Sequence, residues 1–258
     1  LTSFYLSDAL ALVGYLAVTP RLLAHLGHAE YGLLAIAGAL LGYLGLLNLG
    51  VGPSLTRFVA AAHARGDTTR VRALVSAAVF LFLGVGVVGF LVAALSARHA
   101  VAWLKVPPEV VGVASTFLII KGVQFAFALP LEAFSGANYG LSRIAEMNAI
   151  RMLGTILELL SWALVIWLGW GLVELGVLAL LAALLTGLLQ RALLRRLLPE
   201  MRVSWRFVSR EGVWELVRYG LFFSLDAAVV LLVFKTDELV IGAVLGVSAV
   251  ALYAVLNQ

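Results

Sequence analysis

Residues 73–97 read ALVSAAVFLFLGVGVVGFLVAALSA, twenty-five consecutive positions without a charged side chain. A helix rises 1.5 Å per residue, so such a run reaches across the roughly 30 Å hydrocarbon core of a bilayer, for which about 20 apolar residues suffice. The runs 31–56 and 239–258 are equally free of charge. Of all 258 residues 63% are hydrophobic and 12% charged, with a mean hydropathy of +1.06, where a soluble domain carries roughly 25% charged residues. More apolar surface is present than one core of this size can bury, so the remainder faces lipid. A soluble globule and a disordered chain are excluded, and the lack of cysteine excludes a disulfide-stapled secreted module. A β-barrel would alternate apolar and polar residues in strands of about ten, which these runs do not. The reading is an all-α, polytopic transmembrane helix bundle.

Eight spans are expected, from Thr2 to Leu23, Tyr31 to Val59, Ala73 to Ala97, Val110 to Ser135, Met147 to Trp167, Leu172 to Leu194, Val213 to Phe234 and Leu239 to Gln258. Six would form an N-terminal lobe, residues 1–196. Residues 197–258 would hold a polar linker and the first two helices of a second lobe. The first run is too long for a removable signal peptide and lacks a small-residue cleavage site. Both ends of the chain fall at apolar runs, and we read it as part of a longer polypeptide.

Thirteen of the 18 Lys and Arg residues flank the linkers after spans two, four and six: Arg57, Arg65, Arg70, Arg72, Arg143, Arg151, Arg191, Arg195, Arg196, Arg202, Arg206, Arg210 and Arg218. By the positive-inside rule these linkers are cytoplasmic. The basic residues sit between apolar runs and form no continuous stripe, so nucleic acid is not expected as a partner; membrane lipids are. The Arg195–Gly212 connector, with Trp205, Phe207 and Val208 among arginines, reads either as a helix lying on an anionic leaflet or as a solvated linker.

The connector marks a boundary between halves, and an internal repeat follows from it. Leu26, Gly27, Tyr31, Gly32, Leu33 and Ala35 recur 219 positions later as Leu245, Gly246, Val250, Ala251, Leu252 and Ala254. Gly84, Gly86 and Gly89 match a dinucleotide fingerprint, but without a preceding strand they read as helix packing. The pairs Gly38 with Gly42, and Gly242 with Gly246, read as close-approach faces. Asn48, Gly50, Gly52 and Pro53 interrupt the second span, as a cavity-lining break or a simple kink. His25 and His28 read as surface residues. No catalytic motif, metal site or cofactor-binding sequence is present in the chain, and no enzyme activity is expected.

Ionisable residues inside spans are costly unless paired or hydrated. They are Asp8, Lys121, Glu132, Glu158 and Asp226, and Asp8 and Asp226 fall 218 positions apart, nearly the repeat offset. Asp8 and Asp226 would face a hydrated cavity between the halves, whereas Glu132 and Glu158 would pair locally.

The stretch Leu26, Tyr31, Gly32, Leu44, Leu47, Asn48, Leu49, Gly50, Gly52, Leu55, Thr56, Arg57 and Phe58, followed by Arg65, Gly66 and Asp67, resembles the first two helices of polysaccharide and O-antigen lipid-linked oligosaccharide flippases. Asp237, Leu239, Val240, Ile241, Gly242, Leu245, Gly246, Val250 and Tyr253 resemble the start of that family's eighth helix, D-x-x-x-I-G-x-x-L-G-x-x-x-V-G-x-Y, with Ala251 at the last glycine. Asn48 stands where the family often has Asp. The resemblance implies membership of the multidrug, oligosaccharidyl-lipid and polysaccharide exporter superfamily, with two lobes alternating in access. It implies a multi-pass protein of the inner (cytoplasmic) membrane that moves an undecaprenyl-pyrophosphate-linked oligosaccharide to the periplasmic leaflet for polysaccharide biosynthesis. Such a substrate needs cations, and the candidates are Lys121 at mid-span and Arg21 and Lys235 toward the outer ends of spans one and seven; for the last two a snorkelling anchor is the alternative. Two rival readings are an ion-coupled multidrug exporter of the same superfamily, with H+ or Na+ carried at Asp8, and a membrane glycan polymerase or ligase. The latter would need a longer outer loop than Ser96–Glu109.

Overall fold

The computed structural model of the chain describes residues 2–48, 50–103, 107–234 and 236–256, and every regular element among them is helical. In chain order these are α1 (Thr2–Gly45), α2 (Val51–Ala64), α3 (Thr68–Trp103), α4 (Val111–Gly140), α5 (Ile144–Leu168), α6 (Leu172–Leu197), α7 (Arg210–Phe234), α8 (Thr236–Leu245) and α9 (Val247–Leu256), with 3₁₀ turns at Leu46–Asn48, Pro108–Val110 and Trp205–Phe207. Among the described residues, the stretches Thr68–Leu95, Pro108–Gly140, Ile144–Leu168 and Leu172–Leu197 are each long and apolar enough to cross a membrane.

The 44 residues of α1 would reach about 66 Å as one rod, twice what a bilayer core requires. Gly27 divides it, with φ 75 and ψ 169, so the expected first and second spans share one element broken at a single residue. The same device recurs at Gly246, φ 87, between α8 and α9. A left-handed φ is cheap only for glycine, and these are the two glycines of the repeated Leu-Gly pairs. Within the expected eighth span, Leu239 to Gln258, the described residues are divided at Gly246 into the end of α8 and the start of α9, because an apolar run does not reveal where one glycine turns the chain. The Tyr253 hydroxyl donates to Asp237 Oδ2 at 2.7 Å across sixteen residues, a separation that a straight helix would stretch to about 24 Å.

The interruption foreseen in the second span lies at 46–50. A 3₁₀ turn leads into Gly50, φ 61, and Pro53 then sits in the first turn of α2, where its missing N–H is tolerated. Small residues let the helices close on one another. A Cβ on Gly140 would lie 2.7 Å from the Thr56 carbonyl oxygen, and one on Gly89 would meet the Phe125 ring at 2.4 Å. Gly86 and Gly89 thus serve helix packing as expected, whereas Gly84 of the same cluster meets nothing within 4 Å. Gly38, by contrast, has nothing within 4 Å and is exposed, so the close approach expected there is not made among the described residues.

Two buried apolar clusters result. One joins Leu22, Tyr31, Leu33, Ile36, Phe117, Val165, Leu172 and Val250. The other joins Leu55, Val59, Leu74, Phe82, Phe125, Ala133, Leu194 and Leu216. Helix α4 runs from the first into the second, from Phe117 to Phe125, and the residues between them are where polarity is admitted.

The connector after α6 is not the interfacial helix weighed above. It is a single 3₁₀ turn lying against α3: Ser204 N–H donates to Ser76 Oγ at 3.4 Å, Trp205 meets Phe80 edge-on at 5.1 Å, and Arg72 stacks 5.2 Å from the Phe207 ring centroid. With arginines spaced through it and only three residues in helical register, it presents no continuous apolar stripe to a leaflet.

Candidate functional site: a polar cavity and the seam beside it

Lys121 and Gln124 occupy the gap in α4 between the two apolar clusters. They line an open cavity of about 290 Å³ with Leu34, Glu158, Ser161, Trp162 and Thr186, drawn from α1, α5 and α6. Lys121 Nζ donates to Gln124 Oε1 at 3.0 Å and lies 5.5 Å from the Phe117 ring centroid, a cation–π distance. Across the cavity, the Tyr15 hydroxyl donates to Glu158 Oε2 at 2.7 Å, and the Tyr15 ring is propped by Trp162, centroids 5.3 Å apart. Lys121 and Glu158 thus share one chamber without an ion pair between them among the described residues. The ammonium retains donors, and one carboxylate oxygen remains open to another partner.

Lys121 was singled out from the sequence, and Glu158 finds the neighbouring-helix donor expected of it. Tyr15, Gln124 and Thr186 were missed. Polar but uncharged residues in an apolar run carry no sequence signal until the fold turns Gln124 and Thr186 to a common chamber and brings Tyr15 to Glu158. Glu132 lies three turns further along α4 and does not line this cavity. Arg21 is exposed, and its Nη1 donates to the Ala17 carbonyl one turn earlier at 3.2 Å, the geometry of an anchor on its own helix. Lys235 lies outside the described residues, as do the side-chain environments of Asp8 and Asp226. His25 Nε2 is 2.8 Å from the Trp170 carbonyl and the Glu30 carboxylate accepts from Leu172 N–H at 3.3 Å, so the break in α1 is clamped to the α5–α6 turn. Among the described residues no group of His, Asp or Glu could hold a metal ion.

Beside the cavity, α7–α9 lie against α1–α3. Val247, Val250 and Ala251 join the buried cluster of Leu33, Ile36 and Ala37, and a Cβ on Gly32 would overlap the Val247 carbonyl oxygen at 1.9 Å. Gly32 and Ala251 are 219 positions apart, so the repeat places its small residues in the same seam. The break in the second span serves the other end, where a Cβ on Gly50 would meet the Gly220 carbonyl oxygen at 2.0 Å. Near Gly220, Arg57 stacks on Tyr219 at 4.3 Å and Arg70 forms an ion pair with Glu215. Gly50 is thus a backbone-to-backbone crossing point. Gly52 plays a different part: its carbonyl, with that of Gly136, accepts from the Thr56 hydroxyl.

The fold is shared with solved structures. The chain superposes on an inward-facing multidrug resistance MATE family transporter of the MOP superfamily with a TM-score of 0.77 at 17% identity, covering 93% of this chain and 56% of that one. A MATE protein solved in complex with MaD3S gives 0.71 at 19% identity, covering 86% and 51%. A MOP superfamily transporter from Pyrococcus furiosus gives 0.61 at 17%, covering 96% and 59%. The fold is therefore that of these transporters. A curated relative, the uncharacterized membrane protein EpsK of Bacillus subtilis (strain 168), is 23% identical over all of this chain and 50% of its own length, so the chain spans about half of that relative. The model of the polysaccharide biosynthesis protein family matches residues 2–258, and the chain belongs to that family of membrane proteins.

Proposed function

We propose that the chain supplies the six-helix first lobe, residues 1–196, and the beginning of the second, residues 197–258, of a transporter in the cytoplasmic (inner) membrane. It passes an undecaprenyl-pyrophosphate-linked oligosaccharide from the cytoplasmic to the outer leaflet by alternating access. The observation that carries this reading is the seam. Two helices broken at equivalent glycines, Gly27 and Gly246, meet along small residues at Gly32 and Ala251, beside a chamber holding a cation with spare donors. Seams of this kind let two bodies rock without opening a lipid-exposed backbone.

In this mechanism Lys121 attracts the pyrophosphate into the chamber, and Glu158, held by Tyr15, keeps the lysine from binding it too tightly to release. The prenyl chain stays in lipid while the head group crosses. A coupling ion, H+ or Na+, would be exchanged at carboxylates of the cavity, with Asp8 and Asp226 as further candidates. A multidrug exporter is the rival reading, and Glu158 would then face a cationic drug.

The test is flipping of a fluorescent lipid-linked oligosaccharide by the full-length protein in proteoliposomes. Lys121→Ala should abolish flipping with insertion unchanged, and Lys121→Arg should keep part of it, because charge matters more than shape for a solvated anion. Efflux of small organic cations without flipping of the glycan lipid would sink the proposal in favour of the rival.

A further inference from the structure

Between α3, the connector and the start of α7 lies an open groove of about 480 Å³, lined by apolar residues alone, among them Phe80, Leu81, Val88, Trp205, Val208 and Val213. Along α3 it extends from Ala77 to Val88. Eleven residues of helix rise about 16 Å, which is half of a roughly 30 Å hydrocarbon core, the depth of one leaflet. Its width is kept by Gly84, where a Cβ would meet nothing within 4 Å. Trp205 stands at its side, 68% exposed and held only edge-on by Phe80, a placement that suits the membrane–water boundary.

Charge is distributed unevenly around this groove. Arg72 marks the end of α3 where the charge-free run begins, and it is paired with Glu200 at 3.5 Å; Arg70 is paired with Glu215. Arg206, in the turn that carries Trp205, and Arg210, at the start of α7, are exposed and join no ion pair among the described residues. The segment that closes this leaflet-deep apolar slot, Trp205 to Val213, therefore also carries two exposed arginines without an ion pair among the described residues. Bulk lipid of any head group could fill the slot, but only an acidic one would also neutralise these cations.

We propose that the groove is a binding site for an anionic phospholipid of the cytoplasmic leaflet, one acyl chain lying along α3 from Ala77 to Val88 and the phosphate resting on Arg206 and Arg210. A lipid held there touches α3 and α7 at once and so joins the two halves on either side of the connector.

The test uses the full-length protein with a photoreactive diazirine amino acid at Leu81, in nanodiscs of phosphatidylcholine containing a minor share of alkyne-tagged phosphatidylglycerol. The expected result is cross-linking of phosphatidylglycerol well above its share of the lipid. Arg206→Gln and Arg210→Gln should each lower that preference about fivefold, the effect of one basic residue at an anionic surface. Cross-linking to phosphatidylcholine should persist in both, which also reports that the groove is still formed. Gly84→Leu, which fills the slot, should lower cross-linking to both lipids. Yields that follow bulk composition would overturn the proposal. So would cross-links to a protein segment instead of lipid, or displacement of the tagged lipid by a polyprenyl phosphate at lower concentration than by unlabelled phosphatidylglycerol.

Discussion

Lys121 illustrates how a charge survives at mid-span. Its ammonium donates to Gln124 and lies over the Phe117 ring on its own helix, while the open cavity leaves its other donors accessible and the carboxylate of Glu158 supplies counter-charge. The Tyr15–Glu158 hydrogen bond orients that carboxylate, and such bonds to charged groups contribute about 1.5–3 kcal/mol, less where solvent competes. Tyr15→Phe in the full-length protein should thus lower stability by roughly 1 kcal/mol, read as a drop in thermal unfolding midpoint, and Tyr15→Phe with Glu158→Gln should cost little more than either alone. Fully additive losses would show that the two side chains act independently. Glu158→Gln should also slow release of a pyrophosphate lipid, because the lysine would lose the charge that tempers its hold.

At the scale of elements, glycines of identical appearance in the sequence do different things. Gly50 has φ 61 and faces the Gly220 carbonyl, whereas Gly38 lies in regular helix with nothing within 4 Å. An alanine at Gly50 meets a left-handed penalty of about 1–2 kcal/mol before any overlap with α7 is counted. An alanine at Gly38 replaces the poorest common helix former by the best, a gain of up to about 1 kcal/mol. Gly50→Ala should therefore unfold at lower temperature or fail to accumulate, and Gly38→Ala should match or exceed the parent in the same assay. Equal behaviour of the two variants would remove the assigned crossing of α2 and α7.

For the whole molecule, the Arg70–Glu215 pair and the Arg57–Tyr219 stack tie α2 and α3 to α7. Both members of the ion pair are about one-third exposed, so its contribution is on the order of 0.2–1 kcal/mol, enough, under the alternating access proposed above, to bias two conformations without locking either. Arg70→Glu and Glu215→Arg should each shift the balance of conformations, reported by distances between spin labels on α2 and α7, and the double reversal should return it to that of the parent. A double variant as displaced as the singles would dissolve the pairing. Topology is tested by labelling: a cysteine at Asp67, in the turn between α2 and α3, should be shielded from an impermeant reagent added outside, and one at Trp170, in the α5–α6 turn, should react. The reverse pattern would invert the orientation.

Composition and the distribution of charge settled the environment and the helical class of this protein, because the need to satisfy every backbone group in lipid leaves few options for charge-free runs of this length. The same sequence carried the repeat, the break near Gly50 and the mid-span charge of Lys121, since each is a departure from an otherwise uniform apolar background. What the sequence withheld depends on direction in space. The turn at Gly246 is one left-handed residue inside a run whose hydropathy does not change. Gln124 and Glu158 come from different helices, and only the packing of α4 and α5 turns them to one chamber, with Tyr15 of α1 brought to Glu158. Gly38 and Gly50 differ by which neighbour lies opposite, and the tertiary structure alone assigned that neighbour, because hydropathy measures how much of a residue prefers lipid and says nothing of what it touches.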